Sequence, residues 1–257
     1  MNICVILVFI IFLILTLRTV CFERLAVPLS SEKIDVMQTY HSLWKIPQKV
    51  NQNWMTYGST LNRRIFDDNE CKSFLSIHFG LSSANKFDYL NLGAHKADLF
   101  RYAWLYVNGG IYMDIKTILL QDIKKVFTRD DIFYVIVTDP SYAYRASRIF
   151  NGVMKTPPRN PIVLKMFQGV LKMDNSDPYI TNCEQGYTIL ESFTKKRIKY
   201  GFNETTQSSV PNVFVMTERE LDKTKDCGGV HDRYGACMFI MNGNDKVLKV
   251  RYDDYPW

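Results

Sequence analysis

The stretch HKADLFRYAWLYVNGGIYMDIKT, residues 95–117, constrains the fold of this chain more than any other. Asp98 and Arg101 stand three residues apart, so in a helix they share one face. Their neighbours Ala97, Leu99, Phe100, Tyr102, Ala103 and Trp104 are mostly apolar, which predicts a largely buried helix over 95–107 that carries a charged stripe. Buried charge is costly unless it is paired or used. An internal Asp98–Arg101 ion pair is the simplest way to meet that cost. Asn108-Gly109-Gly110 then stops the helix, as a left-handed C-cap and a tight turn require. A short strand follows over 111–115. Its period of two puts Ile111, Met113 and Ile115 on one face and Tyr112, Asp114 and Lys116 on the other. Asp114 is thereby expected at the carboxyl edge of a sheet, where open α/β sheets bind ligands. A carboxylate there suits a divalent cation that bridges phosphates.

The remaining pattern alternates strands with helices. A strand and the loop leaving it are expected over 36–44, further strands over 62–66, 132–138, 213–216, 238–241 and 246–250, and helices over 70–79, 160–173 and 184–199. That alternation implies an α/β sandwich with a mainly parallel sheet flanked by helices. No internal repeat or low-complexity linker divides the body, so residues 34–257 read as one domain behind a stem over 23–33.

Ahead of the stem, residues 3–15 are an unbroken apolar run, ICVILVFIIFLIL. The run is shorter than the ~20 residues that span a bilayer. Val20-Cys21-Phe22 complete a span if Arg18 snorkels to the interface. A cleavable signal peptide is the rival reading, but LRTVCF offers no small-x-small cleavage site and no Lys or Arg precedes the run. Residues 1–22 are therefore expected to be an uncleaved transmembrane helix. Arg18 and Arg24 lean towards a cytosolic body, whereas the Asn203-Glu204-Thr205 sequon points to a lumenal one. The terminal Asp253-Asp254-Tyr255-Pro256-Trp257 reads as a surface tail.

Composition narrows the function classes. With 47% hydrophobic and 23% charged residues in 257, the chain is neither disordered nor a disulfide miniprotein. The net charge of +6 is spread over 32 basic residues. The densest cluster, Lys195-Lys196-Arg197, is too short for a nucleic-acid arm. Cys227 and Cys237 flank CGGVHDRYGAC, which reads as a free-thiol or disulfide-closed loop. With His231 it matches no standard zinc spacing.

The 95–117 segment resembles the core of the family-32 retaining glycosyltransferases. These are the DXD-containing sugar transferases of the yeast outer-chain and inositol-phosphoceramide mannosyltransferase type, distantly related to the clostridial glucosylating toxins. Their pattern is Ala-Asp-Leu-x-Arg-Tyr, then Gly-Gly-Ile-Tyr, then Asp-x-Asp. Tyr40-His41-Ser42-Leu43-Trp44-Lys45 resembles the family's opening motif, Arg64-Ile65-Phe66-Asp67-Asp68 its second strand, and Phe150-Asn151-Gly152-Val153-Met154 the segment lining its sugar site. The similarity covers residues 37–170 and fades after about 175.

The resemblance implies a GT-A-type nucleotide-sugar-binding fold, a membrane of Golgi or ER type, and a hexose donor, with mannose favoured. It implies a glycan or glycolipid acceptor and Mn²⁺ or Mg²⁺. Carried over by position, Trp44 would stack on the nucleotide base, and Asp98 and Arg101 would hold the donor. Tyr112 would bind its ribose or phosphate region, Asp114 would contact ribose or metal, and Asn151 would face the sugar or acceptor. The departure is Lys116, which stands where the family has its second aspartate. Three readings follow from it: metal held by Asp114 with help from elsewhere, a lysine ammonium that neutralises the leaving diphosphate, or a catalytically silent nucleotide-sugar-fold protein at a membrane. The Asp-x-Asp-x-Thr of haloacid-dehalogenase-type phosphatases is a poorer likeness, because Lys116 removes its acid/base.

Overall fold

In the computed structural model, residues 35–138, 147–227 and 237–254 are described. The expected anchor at 1–22, the stem at 23–33 and His231 lie outside these residues. Among the described residues no helix is long and apolar enough to cross a membrane.

The strands are β1 (Asp35–Thr39), β2 (Asn62–Phe66), β3 (Gly110–Met113), β4 (Ile118–Leu119), β5 (Phe133–Thr138), β6 (Ile149–Thr156), β7 (Gly201–Asn203), β8 (Val213–Glu220), β9 (Met238–Asn242) and β10 (Asp245–Lys249). The helices are α1 (Gln48–Tyr57), α2 (Asp68–Phe79), α3 (Leu81–Tyr89), α4 (Gly93–Asn108), α5 (Pro161–Lys172), α6 (Thr181–Phe193) and α7 (Lys223–Asp226). One sheet runs in the order β2-β1-β3-β6-β5-β8-β9-β10-β4, with β7 also paired to β8.

The expectation of a mainly parallel sheet needs correcting: the sheet is mixed. β1 pairs with β2 and β3 in parallel, and β5 pairs with β8 in parallel. The remaining pairings, including β6 with both β3 and β5, are antiparallel. The physical reason is connection length. Parallel neighbours need a crossover long enough for a helix, whereas short links such as the one at Gly243 between β9 and β10 close only antiparallel pairs. The strand that breaks the pattern, β6, carries Asn151-Gly152 in its interior, and such residues depress strand propensity. β1, β2, β3, β5 and β8 nevertheless all point the same way, so they share one carboxyl edge.

Apolar side chains pack on both faces of this sheet. On one face Tyr112 of β3 and Phe133 and Val135 of β5 join Leu75, Phe87, Leu99, Ile162 and Leu190 from α2 to α6. On the other, Ile111, Met113 and Ile115 join Val50 and Trp54 of α1 and Ile240 of β9. The expected alternation along β3 is therefore present, and it turns Tyr112 towards the helical layer that carries Arg101. α2 opens with a capping box, in which Asp67 accepts from the Glu70 amide at 2.9 Å while Glu70 accepts from the Asp67 amide at 3.1 Å. α1 and α3 have no such side-chain cap. Both are also rich in polar residues, so neither stands out in the sequence.

The glycine stop after α4 differs from the expected left-handed cap. Gly109 has φ 68° and ψ −154°, a region essentially reserved for glycine. Any Cβ there would also meet backbone, 2.6 Å from the Pro158 nitrogen and 2.9 Å from the Thr156 oxygen. Gly109→Ala is accordingly expected to lower the unfolding free energy by about 2 kcal/mol or more. Urea denaturation checks this, and a loss below about 0.5 kcal/mol would contradict the close approach of β6 to the turn.

Candidate active site

A cavity of about 450 Å³ opens at the shared carboxyl edge. Thr39 and His41 reach it from the end of β1, Asp68 from the start of α2, and Asp114 and Lys116 from the end of β3. Asp98 and Arg101 line it from α4, and Asn151 from β6.

Arg101 is the centre of the site. It is only 3% exposed, and its guanidinium lies 4.1 Å over the Tyr112 ring. Its Nη2 sits 3.3 Å from Asp98 Oδ1 and 3.4 Å from Asp114 Oδ1, so one cation bridges two carboxylates. Nη1 donates to the Asn151 carbonyl at 2.5 Å, and Nε donates to the Ala97 carbonyl at 3.2 Å. Burial works against its charge, but the surrounding Tyr112, Asp114 and Asp98 outweigh that and hold it firmly protonated.

The two carboxylates have different environments. Asp98 accepts from Asn151 Nδ2 at 2.9 Å through one oxygen and from Asn182 Nδ2 at 2.7 Å through the other. Burial raises its affinity for a proton, although Arg101 and Asn182 oppose this. Asp114 accepts from the Tyr112 hydroxyl at 2.6 Å on Oδ1, while Oδ2 pairs with Lys116. Burial would raise the Asp114 carboxyl too, but the charges of Lys116 and Arg101 prevail and hold it below the ordinary range. Gly152 completes this cradle. A Cβ there would lie 2.7 Å from Asp114 Oδ2, so only glycine lets the carboxylate rest against β6.

Residues 27–133 match the glycosyltransferase sugar-binding region containing DXD motif. The resemblance seen in the sequence thus holds, and the matched segment contains β1 to β4 together with Asp98 and Asp114. Over 130 residues the chain is 25% identical to an uncharacterized glycosyltransferase of Acanthamoeba polyphaga mimivirus, covering 49% of each. Over 115 residues it is 30% identical to the initiation-specific alpha-1,6-mannosyltransferase of Schizosaccharomyces pombe, covering 43% of this chain and 26% of that one. The chain thus spans about half the length of the first relative and about a quarter of the second. Among solved structures it resembles the PaToxG glycosyltransferase with a TM-score of 0.45 and 14% identity, over 62% of this chain and 69% of that one.

Within the sugar-binding region, Asp98, Arg101, Tyr112, Asp114 and Lys116 come together as the sequence anticipated. Trp44 does not join them. It sits on a single 3-10 turn, Leu43–Lys45, 83% exposed and outside the cavity lining. It is not a core residue, and its ring faces solvent beside the Lys45 ammonium at 5.1 Å. Asn151 lines the cavity, but its amide is spent on Asp98 and on the Tyr102 hydroxyl at 3.0 Å. It therefore positions the Asp98–Arg101 pair from behind.

Four contributors were not singled out in the sequence. Asn182 lies on α6, beyond the reach of the resemblance, and no motif marks it. Glu218, near the carboxyl end of β8, lies opposite Thr138 at the end of the parallel strand β5 and accepts from its hydroxyl at 3.1 Å. The carboxyl-edge rule that located Asp114 applies equally to Glu218. Arg251 and Val250 also line the cavity. The residues after them lie at the surface where described and carry two ion pairs: Asp253 accepts from Lys249 at 2.7 Å, and Asp254 pairs with Lys49. The sequon at Asn203 is consumed internally. Asn203 is 6% exposed, and its amide donates to the Lys199 and Gly201 carbonyls at 2.8 Å each.

A DXD motif implies a divalent cation, and the donors around Asp114 do not fit one. Both Asp114 oxygens already face cations or a hydroxyl donor, and Lys116 occupies the position of a second carboxylate. Asp98 has both oxygens engaged as well. Among the described residues no three His, Cys, Asp or Glu side chains converge as metal ligands.

The depressed Asp114 carboxyl has a pH signature. A group whose folded pKa lies below its unfolded value stabilises the fold above the unfolded value, here 3.8, and loses that contribution as pH falls further. Urea unfolding between pH 7 and pH 2 is expected to show the wild type losing stability below 3.8 more steeply than Asp114→Asn does. Parallel profiles would mean that Lys116 and Arg101 do not stabilise the charged form.

Proposed function

We propose that this chain is a hexosyltransferase of GT-A type. It moves a sugar, with mannose favoured, from a nucleotide-sugar donor to a hydroxyl of a glycan or glycolipid, with retention of anomeric configuration. The observation that carries this reading is the Asp98–Arg101–Asp114–Lys116 cluster, which lies at the carboxyl edge within a segment matching a sugar-binding region. Mannose is supported by the fission-yeast relative, an alpha-1,6-mannosyltransferase.

The chemistry follows from charge placement. The bond between the sugar C1 and the β-phosphate oxygen breaks, and its electron pair goes to that oxygen. The acceptor oxygen bonds to C1, and its proton passes to the departing phosphate. Developing negative charge at the phosphate is the hard part, and preorganised cations in a site of low dielectric lower its cost most. Lys116 and Arg101 fill that role, with Asp114 and Tyr112 holding them in place. Asp98 has about one lone-pair site left beyond those met by Arg101, Asn151 and Asn182 and offers it to a sugar hydroxyl, Asn151 fixes Asp98, and Trp44 offers an exposed ring for the nucleotide base. The apolar run at 3–15 supports attachment to a Golgi- or ER-type membrane. The Cys227–Cys237 disulfide supports a lumen-facing body, since such bonds persist in oxidising compartments.

A second reading, a catalytically silent nucleotide-sugar-binding protein, is favoured by one observation, the lysine at the second DXD position. Both readings are tested by incubating the full chain in detergent with GDP-mannose, UDP-glucose or UDP-galactose and an oligosaccharide acceptor. The readout is nucleoside diphosphate release, with NMR of the product. The expected result is an α-linked hexoside from an α-linked donor, with Arg101→Ala reducing turnover by about 100-fold or more. Donor binding without transfer across all donors and acceptors would sink the enzyme reading and leave the binding one.

A further inference from the structure

We propose that Lys116 takes the place of the divalent cation, so that the site holds the diphosphate of its donor with protein charges alone. The proposal rests on the nucleotide-sugar reading above and names how that site is charged.

Charge balance carries the first part. Two carboxylates of a DXD motif with one bound divalent cation sum to zero. Asp114 and Lys116 also sum to zero with nothing bound. Replacing the second carboxylate by an ammonium therefore supplies, through a covalent tether, the positive charge that the motif otherwise collects from solution. A divalent cation added to this site would make the local sum strongly positive.

Geometry carries the second part. Asp114 Oδ2 lies between the Lys116 ammonium and the backbone at Gly152, where even a Cβ would come within 2.7 Å. Asp114 Oδ1 is held by the Tyr112 hydroxyl at 2.6 Å and faces the Arg101 guanidinium at 3.4 Å. A metal ion on either oxygen would meet a fixed cation or a donated proton. Like charges in contact at a buried site repel with little screening. The other carboxylate within reach of Arg101, Asp98, has both oxygens taken by the Asn151 and Asn182 amides.

The ammonium is also suited to the task. It carries three N–H donors, so it can hold Asp114 and a phosphate oxygen at the same time. Its side chain is only 16% exposed, and its bond to Asp114 aims it, so little ordering remains to be done when the phosphate arrives. Arg101 lies behind Asp114 and Arg251 lines the same cavity, so further cationic groups surround the position that a diphosphate would occupy.

The test is calorimetric titration of the full chain in detergent with GDP and with UDP, in EDTA and in Mn²⁺, together with EPR of Mn²⁺ mixed with the protein. The preferred nucleotide is expected to bind wild type within about threefold of the same affinity in both media, and the EPR signal to remain that of free Mn²⁺. Lys116→Met should weaken binding by about tenfold to 100-fold in either medium, as loss of a charge-assisted hydrogen bond does. Lys116→Asp should bind poorly in EDTA and recover when Mn²⁺ is added. Circular dichroism melting confirms that both variants fold, and the Met variant carries the test if the Asp variant does not. Wild-type binding at least about tenfold tighter with Mn²⁺ would overturn the proposal and leave the transferase reading standing. A folded wild type that binds neither nucleotide in either medium would overturn both.

Discussion

A single buried guanidinium organises this protein's candidate site. Arg101 joins α4 to β3 through Asp114, to β6 through the Asn151 carbonyl, and to its own helix through Asp98 and Ala97. A fully buried arginine is tolerable only when its donors are met, and here two carboxylates, two carbonyls and the Tyr112 ring meet them. The helix, the strand and the antiparallel insert are thus registered by one side chain. The simple i,i+3 pair expected from the sequence is real, but it is half of a bridge whose other half is Asp114.

The sheet explains why the bridge sits where ligands can reach it. Five strands deliver their carboxyl ends to one edge, and β6, running the other way, brings Asn151 and Gly152 to the same edge from its amino end. The antiparallel strand therefore adds groups to the site that no parallel strand at that position could supply. Gly152 serves Asp114 by what it lacks, and Asn151 serves Asp98 by its amide.

Much of this was legible in the sequence, and the rest was hidden for identifiable reasons. The apolar helix with its charged stripe, the glycine stop and the alternation of β3 are local patterns, and they placed Asp98, Arg101, Tyr112, Asp114 and Lys116 together. The cradle partners are nonlocal. Asn182 reaches Asp98 across 84 positions, and no spacing rule connects them. β6 was obscured by the very residues that make it useful, since Asn151 and Gly152 are poor strand formers. Trp44 shows the opposite limit. The resemblance implies a base-stacking ring, but the turn after β1 holds this ring in solvent, outside the cavity lining.

The strand order has a consequence for how such a region can change. β4, inside the segment that matches the sugar-binding model, is hydrogen-bonded to β10 near the far end of the chain. β3, in the same segment, takes its outer neighbour from β6. The limits of sequence similarity are therefore not limits of structure. The segment is not a portable module, because grafting it elsewhere would expose the edges of β3 and β4 and strip Asp98 of the Asn151 and Asn182 amides. The later residues, which lie outside the family match, remain free to vary only where they do not close those edges. Loops away from those edges can drift while the Arg101 bridge holds helix and strand in register.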